Sequence, residues 1–120
     1  MDATLSKAER LCGKQDISTL LSKGSWEGAG CIKYCWMSPG GSSCSRIIVS
    51  VPKKVFRRAV KRNLLKRRIR EAFRTQKDLL PAEVTADILF FYNSREPLPF
   101  PAIREDVGNA LEHISSKVRR

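Results

Sequence analysis

The chain has 120 residues, 42% of them hydrophobic and 29% charged, and its 23 Lys and Arg outnumber its 12 Asp and Glu to give a net charge of +11. This length and balance predict one ordinary folded domain, residues 1–120, with a modest core. No stretch approaches 18 apolar residues, and the first 25 contain neither an uninterrupted apolar run nor a small-residue cleavage site. No membrane span and no signal peptide are therefore expected, and the expected location is cytoplasmic.

In chain order, residues 6–23 read as helical. Ser6 followed by Glu9 has the spacing of a capping box, Gly13 interrupts, and Lys14–Lys23 is the stronger piece, with Ile17, Leu20 and Leu21 on one face and Gly24 at the C-terminal cap. Trp26–Met37 reads as one strand in which Ile32, Tyr34 and Trp36 alternate onto a single face. Ser38–Ser43, carrying one Pro and two Gly, predicts a hairpin connection to a returning strand at Arg46–Val51.

The next segment dominates the charge. Lys53, Lys54, Arg57, Arg58, Lys61, Arg62, Lys66, Arg67, Arg68, Arg70 and Arg74 face one acid, Glu71, so all but one unit of the chain's +11 lies between residues 53 and 74. Leu65, Ile69, Ala72 and Phe73 fall on one side of a helix as a core-facing stripe. Asn63, Arg67, Arg70 and Arg74 fall opposite, with Lys66 at the border, in a row about 16 Å long. A row of mixed sign would be an ordinary solvated face. A row of one sign repels itself and predicts a polyanion partner, of which nucleic acid is the usual one.

Lys77–Pro81 ends the helix. Ala86–Tyr92 is a nearly continuous apolar run, the pattern of a strand covered on both faces or central in its sheet. Asn93–Pro101, with three prolines, reads as a surface loop, and Ala102–Val118 as a closing helix with Ile103, Val107, Leu111 and Ile114 at core spacing; Arg119 and Arg120 read as a frayed end. The sum is an α+β domain of order α-β-β-α-β-α, a mainly antiparallel sheet packed on helices, with the basic helix crossing between two parallel strands.

Little in the sequence suits catalysis by the protein's own side chains. His113 is the single histidine and has no evident partner, and the acids are scattered apart from Glu105 and Asp106. The turn at Pro39–Ser43 lacks the G-K-[ST] ending of a phosphate-binding loop. Cys12, Cys31, Cys35 and Cys44 show no C-x-x-C pair, and Cys31 and Cys35 would stand about 13 Å apart on a straight strand, too far for a disulfide. They read as small apolar residues of a reduced protein, with no metal bound through them.

Arg62-Asn63-Leu64-Leu65-Lys66-Arg67-Arg68-Ile69-Arg70-Glu71 resembles the R-N-x-x-K-R-x-x-R-E signature of the bacterial ribonuclease P protein subunit, with all six specified positions filled. The preceding Val51–Ala59 is similar to the basic lead-in that this family places between a strand and the signature helix. The resemblance implies a left-handed β-α-β crossover, where the general rule favours a right-handed one. It also implies a role beside a catalytic RNA that uses Mg²⁺, held mainly by RNA, to cut precursor tRNA at the mature 5′ end. The implied partners are that RNA and the precursor tRNA, with no obligate protein partner and no membrane.

By the same resemblance, Arg62, Lys66, Arg67 and Arg70 contact phosphates and Asn63 orients a sugar, a base edge or a metal-bound water. Glu71 anchors neighbouring arginines, and Lys53, Lys54, Arg57, Arg58, Lys61, Arg68 and Arg74 complete the RNA-binding patch. A cleft between the first helix and the sheet would take the single-stranded 5′ leader, lined by Ile17, Leu21, Tyr34, Trp36, Ser50 and Lys54. Aromatics are common in the family at the helix positions, where this chain has Ile17 and Leu21, so stacking shifts to Tyr34 and Trp36. The rival reading is a ribosomal or general RNA-binding protein using the same helix. A DNA-binding role fits less well, because a row of Arg and Lys with one Asn discriminates bases poorly.

Overall fold

The computed structural model describes residue 11 and residues 13–40, 44–81 and 83–118. Along the chain run α1 (Lys14–Lys23), β1 (Ser25–Ala29), β2 (Ile32–Met37), β3 (Arg46–Ser50), α2 (Ala59–Arg74), β4 (Asp87–Tyr92) and α3 (Phe100–Val118), with a single 3-10 turn at Lys77–Leu79 after α2. The strands form one mixed sheet in the order β1-β2-β4-β3. The first two pairings are antiparallel and β3 with β4 is parallel, so α2 is the crossover between parallel strands, as the sequence predicts.

Two expectations about the strands are corrected. Trp26–Met37 is a hairpin rather than one strand: Gly30, at φ 60°, turns the chain, and Ala29 pairs with Ile32. A β-carbon at Gly30 would also lie 2.4 Å from the Asp106 carboxylate, which accepts a 2.9 Å hydrogen bond from the Cys31 amide and ties this turn to α3. Ser38–Ser43 does not join hairpin neighbours either, because β4 inserts between β2 and β3. What anchors that connection is the segment before β4: Ser38 Oγ and the Gly40 amide both donate to the Thr85 carbonyl. Inside the stretch read as a loop, α3 already begins at Phe100. Ser6, Glu9, Cys12, Arg119 and Arg120 lie outside the described residues.

The pleat divides the sheet's side chains into two layers. On one face Ile32, Tyr34, Trp36, Ile47, Val49, Ile88, Phe90 and Tyr92 pack under α2 and α3, whose stripes bury Leu65, Ile69, Ala72 and Phe73, and Ile103, Val107, Leu111 and Ile114. Each of the larger side chains stabilises the fold by about 1.5–3 kcal/mol. The helices approach closely where Gln76 donates to the carbonyls of Ala72 and Arg104, and a β-carbon on Gly108 would lie 2.5 Å from its side-chain oxygen. On the opposite face α1 sets Leu20, with Ile17, against Cys35, Met37, Ile48 and Leu89. As its apolar run suggests, β4 is central and largely buried on both faces.

One polar group is fully buried at the start of β4. Asp87 takes two hydrogen bonds from Arg46, Nε to Oδ1 at 3.0 Å and Nη2 to Oδ2 at 2.7 Å, which pins the first residues of the parallel strands together. Arg46 Nη1 also reaches Asp16 of α1 at 3.2 Å. The hydrogen bond to Asp87 is the main cause that drives the Arg46 guanidinium above its already high ordinary value.

Candidate nucleic-acid interface

Burying the Leu65–Phe73 stripe rotates the opposite side of α2 into solvent. Asn63 and Arg67 are exposed there, beside the half-buried Lys66 and Arg70. Val60, 81% exposed, continues the same face toward the helix N-terminus. Lys53, Lys54, Arg57, Arg58 and Lys61 are exposed as well, so exposed cations extend from the loop onto the helix. At the far end of the row Glu71 pairs with Arg74, whose Nε donates to Oε1 at 2.7 Å. Arg74 is therefore charge-compensated, and the outward row is effectively shorter than its spacing suggests.

Two residues of the predicted RNA-binding patch, Arg62 and Arg68, have internal work. Arg62 Nη1 donates to the carbonyls of Phe56 and Arg57, both at 2.9 Å, and so closes the loop that precedes the helix. Arg68 Nη1 donates to the Leu98 carbonyl at 2.6 Å, fastening α2 to the segment between β4 and α3. Counting charges cannot separate such arginines from outward ones, because both kinds sit beside the apolar stripe at helical spacing.

The predicted groove between α1 and the sheet needs a larger revision. Ile17 and Leu21 do line a shallow apolar depression on α1, together with Lys14, Ser18 and Ser22. Tyr34 and Trp36 are buried on the other face of the sheet and cannot line that groove. The Tyr34 ring meets His113 of α3 edge-on at 6.5 Å, and Trp36 Nε1 donates to Glu27 Oε2 at 3.4 Å. Their alternation identifies them as face-mates without saying which helix covers that face. Burial, with the nearby Glu27 charge adding to it, pushes the Tyr34 hydroxyl up to about 12.

The register shows what stands on the α1 side instead. Lys33 pairs with Phe91, and Phe91 with Ser50, so these three cross the sheet as one row beside the row of Cys35, Leu89 and Ile48 that α1 covers. Phe91 is half-buried and Lys33 exposed. On β1, Trp26 is paired with Cys35 and lies on this same face, 50% exposed. Sequence reasoning missed Phe91 and Trp26; the odd-numbered set of β4, once separated from Ile88, Phe90 and Tyr92, was the available signal for Phe91. Ser50 remains in the row, and Lys54 is exposed beyond the end of β3.

Elsewhere the chemistry is quiet. Cys31 and Cys35 are buried free thiols, and burial, reinforced by Asp106, pushes Cys31 up to about 12. His113 Nε2 sits 2.7 Å from Glu27. Among the described residues no group of three or more His, Cys, Asp and Glu side chains is placed to hold a metal ion, and no helix is long and apolar enough to cross a membrane.

The family model described as Ribonuclease P matches residues 5–115. A protein from Porphyromonas gingivalis named Ribonuclease P protein component is 35% identical over 121 residues, an alignment spanning 95% of this chain and 88% of that protein. Among solved structures, the RNase P protein from Thermotoga maritima superposes with a TM-score of 0.74 at 26% identity, covering 88% of this chain and 96% of that one. The Staphylococcus aureus RNase P protein has a TM-score of 0.76 over 90% and 96% of the two chains; at 24% identity it speaks for the fold alone.

Proposed function

The chain belongs to the ribonuclease P protein family, and on that premise we propose that it binds the catalytic RNA of ribonuclease P and the 5′ leader of precursor tRNA in the cytoplasm, assisting removal of the leader. The observation that carries this reading is the exposure of Lys53, Lys54, Arg57, Arg58, Lys61, Asn63 and Arg67 together on one loop and the helix that follows it. Two RNAs brought together repel through their phosphates. A compact source of positive charge between them screens that repulsion and releases counterions, so less Mg²⁺ is needed to assemble the reacting complex.

In this division of labour the RNA carries out the hydrolysis. Mg²⁺ supplies the charge stabilisation and the activated water there, and this reading assigns it mainly to RNA ligands. Arg67 and Lys66 bind phosphates. Asn63, which can donate and accept at once, reads a sugar hydroxyl or a base edge. Arg62 and Arg68 hold the loops in place. The leader lies along the α1 side of the sheet, where Phe91 offers one stacking face, Ile17 and Leu21 an apolar wall, and Lys33 with Lys54 charge for the backbone.

The test mixes the full chain with a bacterial ribonuclease P RNA and a precursor tRNA at low Mg²⁺. Leader removal should accelerate, Arg67→Ala should lose much of that acceleration, and RNA affinity should fall with salt by a log–log slope of about 0.7–0.9 for each phosphate contact. No acceleration by the wild-type chain would overturn the ribonuclease P reading, and RNA binding without acceleration would leave a general RNA-binding protein.

A further inference from the structure

At the entrance to α2 the surface is concave. Val55, Phe56, Arg57, Arg58 and Lys61 form one wall, and Arg95 with Pro97, from the segment between β4 and α3, forms the other. Lys61 and Arg95 lie 34 positions apart in the chain, so no reading of the 53–74 segment alone brings them together.

Both walls are fastened from behind. The amides of Val55 and Phe56 donate to the Pro52 carbonyl at 3.3 and 3.1 Å, the Phe56 ring is buried against Tyr92 with centroids 5.7 Å apart, and Arg62 holds the carbonyls of Phe56 and Arg57. Opposite, the Tyr92 hydroxyl donates to the Glu96 carbonyl and accepts from the Leu98 amide at 2.9 Å, while Arg68 holds the Leu98 carbonyl. Tyr92 therefore supports both walls, through its ring on one side and its hydroxyl on the other.

We propose that Arg57, Arg58, Lys61 and Arg95 form a pocket for one phosphodiester of the bound RNA backbone, with Arg95 contributing from outside the signature helix. Among the described residues no acidic side chain pairs with any of the four. Gathering like charges in one depression is unfavourable until an anion enters, and three guanidinium groups supply the forked donors that match phosphate oxygens. Because Arg62 and Arg68 fix the walls in the free protein, less ordering is lost on binding than for cations on mobile loops. The inference rests on the RNA-binding reading above and adds to it a residue and a place.

The experiment titrates the full chain, wild type and variants, with a bacterial ribonuclease P RNA over a series of KCl concentrations. Arg95→Ala should weaken binding several-fold and make the log–log salt slope shallower by about 0.7–0.9, one phosphate contact. Its melting temperature should stay at the wild-type value, since Arg95 is exposed and its side chain makes no bond among the described residues. Arg104→Ala, which removes an exposed cation on α3, should leave the slope unchanged. If Arg95→Ala keeps the wild-type slope, whether or not affinity falls, the pocket is refuted, and a shift with Arg67→Ala in the same series would leave the RNA-binding reading intact. If the wild-type chain itself binds without salt dependence, the RNA-binding reading fails, and the pocket with it.

Discussion

Arg46→Met tests the account of how the parallel strands are joined. The Asp87 side chain is 1% exposed and that of Arg46 13%, with contacts of 2.7 and 3.0 Å between them. Removing the cation leaves a buried carboxylate without that counter-charge, a change that typically costs about 3–5 kcal/mol. Asp16, the other acid on Arg46, is 51% exposed at 3.2 Å, so Asp16→Ala should cost only about 0.2–1 kcal/mol. With a urea dependence of about 2 kcal/mol per M, Arg46→Met should move the unfolding midpoint down by about 2 M and Asp16→Ala by less than about 0.5 M. Adding Asp87→Asn to Arg46→Met should recover part of the loss, because it removes the stranded charge. Equal midpoints for Arg46→Met and Asp16→Ala would refute the claim that the buried arm of this triad carries the energy.

Three further outcomes are expected. Phe91→Ala should weaken binding of a precursor tRNA by about 1–3 kcal/mol, while leaving a leaderless tRNA unaffected in the same filter-binding assay. Gly30→Ala forces a β-carbon into left-handed backbone and against Asp106, so its thermal melt should show a loss of at least about 1–2 kcal/mol. The Cys31 thiol ionises near 9.0 when unperturbed and only near 12 in the fold. Its folded-state value is the higher one, so its contribution to stability is complete below about pH 9 and is lost as pH climbs toward 12, a decline that Cys31→Ala should lessen in alkaline denaturation.

The helices were legible because their information is local. Leu65, Ile69, Ala72 and Phe73 repeat at helical spacing, and all four are buried as that spacing predicts. Strand partners were not legible, since nothing near Arg46–Ser50 in sequence says that β4 will insert beside it. The turn at Gly30 was hidden by parity. Trp26 and Ile32–Trp36 share even numbers and look like one alternating strand, yet a two-residue turn pairs even with odd and sends Trp26 to the opposite face. The aromatic lining of the leader groove was misplaced for a related reason: Tyr34 and Trp36 were correctly grouped, but which helix roofs their side of the sheet is a long-range outcome. Charge marked the basic surface down to its loop and helix. It could not tell that Arg62 and Arg68 brace the backbone, or that Arg95 stands across from Arg57, Arg58 and Lys61.

The placement of β4 also orders how the molecule is made. A ribosome delivers β1, β2, β3 and α2 first, and at that stage the sheet has a gap: β3 has no neighbour, and α3, against which the signature helix packs, is still to come. Residues 87–92 close the gap by entering between two strands made about forty and fifty-five residues earlier, a step of high contact order and correspondingly slow folding. The keystone of the sheet is thus the last of its strands to be made, and a chain cut short before residue 87 would have no strand to join β3.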